Sequence, residues 1–147
     1  MIASVQVPIA PGLFTWPADV PCLLGGKCPD CGTVTFPTST ACPRCGNPGM
    51  NTKTLSRTGT VWTWTTQGFR PKAPYRGFGA EADFEPFLLG YVELDGEVKV
   101  ESRLIVDRDV IHIGMPVELV VVPFCLNEEG DEVVTFAFAE LVRSEDP

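Results

Sequence analysis

The segments Cys28-Pro29-Asp30-Cys31-Gly32 and Cys42-Pro43-Arg44-Cys45-Gly46 are two CxxC turns with ten residues between Cys31 and Cys42. This doubled spacing is that of a four-thiolate zinc ribbon. Each turn offers two soft ligands from one side, and two such turns complete a tetrahedron. The glycine after each second cysteine predicts a backbone with positive φ, where amides approach the sulfurs. Pro29 and Pro43 stiffen the turns. Two disulfides are the competing chemistry. The start of the chain, Met1-Ile2-Ala3-Ser4-Val5-Gln6-Val7-Pro8, lacks the basic residues and apolar run of a secretory signal, which argues against them. Four cysteines fill every position on zinc and leave none for water or substrate, so a structural metal is expected. The same thiolates also suit a rubredoxin-type iron, and zinc is the expectation.

Little else has the makings of a self-sufficient active site. His112 is the single histidine, within Val110-Ile111-His112-Ile113-Gly114. Among such apolar neighbours it reads as a packed structural residue. Cys22 and Cys125 remain after the metal takes its four thiols, and neither has a histidine within a few positions. Cys125 follows an apolar run, and both read as core thiols. Glu128-Glu129 reads as solvated charge in a turn. No glycine loop for phosphates and no Ser-His-Asp set is visible.

The segment 67–86 is different. Gly68, Pro71, Pro74, Gly77 and Gly79 break any regular structure, and Arg70, Lys72 and Arg76 fall within seven residues of one another. Phe69, Tyr75 and Phe78 lie among them. Cations interleaved with aromatics can hold phosphate oxygens and stack a purine. The alternative is a lid packed on its own domain with solvated charges.

The elements that position these groups read as β. Residues 1–26 are rich in Pro and Gly without helical periodicity, and predict an extended arm. Residues 27–50 form the ribbon, with a short strand at 33–36 stopped by Pro37. Residues 51–147 supply five strand patterns, at 58–66, 87–94, 97–105, 116–122 and 132–139. Asp95-Gly96 makes a hairpin turn between the second and third. The fold class is therefore mainly β: a rubredoxin-like zinc ribbon followed by a five-stranded barrel of OB type. A sandwich would show the same pattern. No stretch reaches transmembrane length, and reduced thiols point to the cytoplasm.

The formal charge of −8 is unevenly spread. Residues 1–76 carry seven Lys/Arg against two acids, a formal +5, and residues 77–147 carry four against seventeen, a formal −13. Such polarity steers anionic ligands or partners. It weighs against single-stranded nucleic acid binding, the competing use of a ribbon and barrel, for which Trp62, Trp64 and Phe69 would be the stacking residues.

Taken in order, several segments resemble one family: Leu24-Gly25-Gly26-Lys27-Cys28 through Phe36-Pro37, Cys42-Pro43-Arg44-Cys45-Gly46, Leu55-Ser56-Arg57-Thr58-Gly59-Thr60-Val61-Trp62, Gly90-Tyr91-Val92-Glu93-Leu94, Ser102-Arg103-Leu104 and Ile113-Gly114-Met115-Pro116-Val117. Small acyl-CoA-associated proteins that join a zinc ribbon to an OB-fold have this pattern, and the resemblance covers roughly residues 22–141. It implies a non-catalytic subunit of a hetero-oligomer. The partner would be a thiolase-fold protein, or alternatively an acyl-CoA hydratase, that supplies the reactive cysteine and histidines. Within the family the chain looks closest to the small subunit of 2-benzoylsuccinyl-CoA thiolase, from anaerobic toluene breakdown. A coenzyme A thioester would be the shared ligand, with Arg70, Lys72 and Arg76 toward its phosphates, or Lys27, Arg44 and Arg57 in their place. Many relatives place helices before the ribbon, where this chain has its proline-rich arm.

Overall fold

The computed structural model describes residues 5–77 and 84–142. Among them are nine strands and no helix. They are β1 (Gln6–Pro8), β2 (Leu24–Lys27), β3 (Val34–Thr35), β4 (Asn51–Thr54), β5 (Thr58–Gln67), β6 (Phe87–Glu93), β7 (Lys99–Ile105), β8 (Pro116–Leu126) and β9 (Glu132–Glu140).

Strands β5 to β9 close on themselves. β5 pairs with β6, β6 with β7, β7 with β9, β9 with β8, and β8 back with β5. All these pairings are antiparallel except β7–β9. A closed five-stranded barrel with one parallel seam is the OB arrangement and excludes the sandwich. Alternation gives the strands one inward face. On β7 Val100, Ser102 and Leu104 point inward while Lys99, Glu101, Arg103 and Ile105 face out, as a strand with one solvated face requires. Val61, Val92, Val100, Val117, Leu119 and Phe138 fill the interior.

One alternation breaks. The β5–β6 register shifts between Val61 and Thr63. With this bulge, Trp62 stays on the outer wall while Trp64 packs against the core. Period two places both tryptophans on one face, and the bulge parts them.

The arm is laid onto the barrel. β7 covers only Phe138 and Ala139 on its side of β9, and β1 pairs in parallel with Glu132–Val134 further along the same edge. The arm thereby satisfies amides and carbonyls that β7 leaves open. Phe14 and Leu23 face each other in an isolated bridge, and both side chains are buried in the core.

The ribbon sheet runs β3-β2-β4. Its central strand contains Gly25-Gly26, which composition alone reads as loop. A Cβ on Gly25 would collide with the Thr35 carbonyl and meet the Leu55 methyls at 3.1 Å, so a side chain there would part the strands.

Ribbon and barrel share one core through Leu23 and Leu55. Phe36 stands edge-on to Phe136 of β9 with 5.5 Å between centroids. Arg57 donates to the Pro21 carbonyl at 2.8 Å and to the Leu119 carbonyl at 2.9 Å, riveting arm to barrel.

A four-cysteine centre and a cationic loop

The four predicted cysteines come together at one end of the ribbon. All four Sγ atoms lie within 4.8 Å of one another, with Cys28–Cys45 and Cys31–Cys42 at 3.5 Å. A tetrahedron with Zn–S bonds of about 2.3 Å has edges of about 3.8 Å, so the spacing fits zinc. The geometry of the turns makes this possible. Gly32 (φ 76) and Gly46 (φ 80) turn left-handed, and their amides bond back to the carbonyls of Cys28 (3.0 Å) and Cys42 (2.9 Å). The Cys31 amide then points at the Cys28 sulfur at 3.5 Å, and the amides of Arg44 and Cys45 at the Cys42 sulfur at 3.4 Å each.

Those amides set the acidity of the thiols. The Cys45 amide first, with that of Arg44 and against the effect of burial, draws Cys42 down to about 6. The Thr33 hydroxyl, 3.1 Å away, lowers Cys31. At Cys45 the Asn47 amide pulls downward, but the Cys28 sulfur, burial and the other two sulfurs push the thiol up to about 12. Without a cation, sulfurs this close cannot all be anions. Zinc bound here would keep Cys28, Cys31, Cys42 and Cys45 as thiolates and cross-link β2–β3 to the turn before β4.

The loop residues are placed less uniformly. The Arg70 guanidinium lies 4.9 Å over the Tyr75 ring and donates to the Gly77 carbonyl at 3.0 Å. Tyr75 in turn stands edge-on to Phe124 of β8 at 5.6 Å, which anchors the loop to the barrel. Lys72 and Arg76 are exposed. Arg76 borders a cavity of about 340 Å³ shared with Ile9, Pro74, Phe124 and Cys125. Phe78, and the rest of 78–83, lie outside the described residues. Of the alternative cations, Lys27 and Arg44 are exposed, whereas Arg57 is committed to its two carbonyls.

Two sequence expectations are corrected. His112 is exposed rather than packed: it sits on the turn after β7, with Nδ1 2.9 Å from the Val110 carbonyl, while Ile111 takes the buried position. Val110 and Ile113 beside it are exposed too, so this apolar-looking turn buries Ile111 alone. Cys22 and Cys125 are only half-buried, because Cys22 lies near the exposed turn of the arm and Cys125 on the irregularity of β8 at Pro123/Cys125. Of the proposed stacking residues, Trp62 and Phe69 are exposed, and Trp64 is packed against the core.

The fold and the centre define a class: a four-cysteine zinc ribbon joined to an OB barrel. Comparison with known proteins agrees. The family model for the rubredoxin-like zinc ribbon domain of ChsH2 matches residues 15–51, and that for its C-terminal OB-fold domain matches residues 52–122. A DUF35 domain-containing scaffold protein of Methanocaldococcus jannaschii is 30% identical over 80% of this chain and 79% of its own length. The benzoylsuccinyl-CoA thiolase subunit BbsA of Thauera aromatica is 25% identical, over 89% of this chain and 86% of its own. Among solved structures, a chain of the Ltp2-ChsH2(DUF35) aldolase superposes with a TM-score of 0.61 and 27% identity, covering 82% of this chain and 86% of that one. The chain belongs to the DUF35 family of zinc-ribbon and OB-fold scaffold proteins.

Proposed function

We propose that this protein is a non-catalytic, zinc-containing subunit of a thiolase-type acyl-CoA complex, which bridges subunits and helps to bind CoA. The observation that carries this reading is the shared frame. One relative with the same extent is named as a subunit of a benzoylsuccinyl-CoA thiolase, and a solved neighbour belongs to an aldolase built with a DUF35 protein. The partner, a thiolase-fold subunit in the cytoplasm, supplies the nucleophilic cysteine and the acid–base groups for thiolytic cleavage of a β-keto acyl-CoA such as 2-benzoylsuccinyl-CoA. Support within this chain comes from its rigid coupling of ribbon to barrel and from exposed Lys72 and Arg76 beside an anchored Arg70. These cations are assigned to CoA phosphates, where charge-assisted contacts are strong. The aldolase neighbour favours a second reading, in which the partner is an aldolase.

Native mass spectrometry of the protein purified gently from its source cells tests the assignment. A thiolase-fold partner in stoichiometric amount is the expected result, with thiolysis by that partner rising when this chain is added back. An aldolase in its place selects the second reading. A lone monomer, or bound nucleic acid, overturns both.

A further inference from the structure

We infer a second oxyanion site on the barrel wall, apart from the loop cations, that takes the phosphate groups of a small molecule. It lies in a cleft of about 370 Å³ between the start of β6 and the segment after β7, bordered by Thr66, Pro86, Phe87, Arg103, Asp107 and Arg108. The inference goes beyond the accessory-subunit reading and needs no partner.

The distribution of charge is the first argument. Residues 77–147 hold only four Lys/Arg (Lys99, Arg103, Arg108 and Arg143) against seventeen acids. Two of those four line this one cleft. Lys99 is occupied elsewhere, 3.5 Å from the Glu93 carboxylate and 4.9 Å over the Trp62 ring. Among the described residues neither the Arg103 nor the Arg108 guanidinium has a hydrogen bond or ion pair. A solvated surface of this acidity would neutralise its few cations in pairs; here two are left facing a concavity.

Preorganisation is the second. The Arg103 guanidinium lies 5.0 Å over the Phe87 ring, and Phe87 is itself braced edge-on by Phe84 at 5.9 Å. Stacking fixes the plane of the guanidinium and leaves its in-plane N–H groups available, the geometry that grips a phosphate with two parallel bonds. Leu104, the next residue of β7, is buried in the core and anchors the strand beneath. Two of the carboxylates nearby have other work. Asp107 accepts from the Asp109 amide at 2.9 Å and closes the turn that carries Arg108, and Glu101, two residues before Arg103, faces Tyr91 across the β6–β7 pair. With Asp107 counted, the cleft still carries one net positive charge.

Two sources share this chemistry: free inorganic phosphates and the phosphorylated end of a nucleotide-type cofactor. Titration of the isotope-labelled chain with inorganic pyrophosphate and with adenosine 3′,5′-bisphosphate, followed by amide NMR, separates them. Saturable shifts of the Phe87, Arg103 and Arg108 amides are expected, weakening with added salt. Tighter binding of the bisphosphate identifies a nucleotide end, and equal binding identifies bare phosphate. Arg103→Gln is expected to weaken binding about tenfold or more, and Arg103→Lys to restore it only in part, because a point charge lacks the planar fork. Arg108→Gln, at an exposed turn, gives the same reading should Arg103→Gln disturb the barrel. Absence of saturable shifts at these amides, shifts centred on Arg70–Arg76, or unaltered binding by both glutamine variants would overturn the site.

Discussion

Glu97 and Lys53 join the two halves of the molecule. The Glu97 Oε2 lies 3.1 Å from Lys53 Nζ on β4 of the ribbon, while its Oε1 accepts from the Ser56 amide at 2.9 Å. Glu97 sits in the hairpin between β6 and β7, so a barrel turn holds the exit of the ribbon with both carboxylate oxygens. Its side chain is 13% exposed and that of Lys53 32%. Glu97→Ala should lower stability by about 1–3 kcal/mol, since a bond to a charged acceptor is lost and the Ser56 amide loses its partner. Glu97→Gln should cost less. Urea unfolding of the two variants beside the parent measures the difference.

Arg57 plays the matching part on the arm. Arg57→Met keeps much of the aliphatic stem but abandons the carbonyls of Pro21 and Leu119, at a cost of about 2–4 kcal/mol. Hydrogen exchange should then speed up at Thr15 and Leu24, whose amides bond within the arm's own turn (to Cys22 and Leu13), before it does at the barrel strands.

Removal of zinc is expected to loosen 24–54 while β5–β9 keep their dispersed NMR signals. The barrel has its own apolar interior, whereas the ribbon sheet has three short strands. Cys28→Ser should lower the bound metal measured by elemental analysis well below the parent's. Acidification should release zinc, because protons compete for thiolates.

Tyr91 and Glu101 are register partners across β6 and β7. A hydrogen bond from the phenol to the Glu101 carboxylate, with the carboxylate's charge and some burial, raises the phenol above its ordinary value of 10.0. The contact therefore contributes stability below pH 10 that disappears as pH climbs through the raised folded value. Ultraviolet titration should place the Tyr91 midpoint above 10, and Glu101→Gln should bring it back down.

For the loop, reversing charge at Arg70 and Arg76 together should raise the KM of the complex for its CoA substrate severalfold with little change in kcat, if both contact the phosphates. A KM equal to the parent's removes the loop from the site.

The doubled CxxC spacing was enough to locate the centre, because ligand number and turn geometry are written in adjacent residues. The five barrel strands were legible for a similar reason: alternation and the Asp95-Gly96 turn are local signals. Three features were hidden, each depending on a distant partner. β2 is a strand because Gly25 must pass close to Thr35 and Leu55, so the glycines that disguise it are what permit it. β1 exists because β7 leaves part of one edge of β9 uncovered. The cleft of Arg103 and Arg108 required the end of β7 to be seen beside Phe87, a neighbour sixteen positions from Arg103 in the chain.

The arm's architecture bears on how the chain tolerates being cut. Residues 17–20 are exposed, yet Phe14 and Leu23 on either side are buried, and β1 is hydrogen-bonded along β9. A nick by a protease between Asp19 and Val20 would sever the covalent thread without freeing the piece before it. The two fragments would travel together through a sizing column and separate only in denaturant.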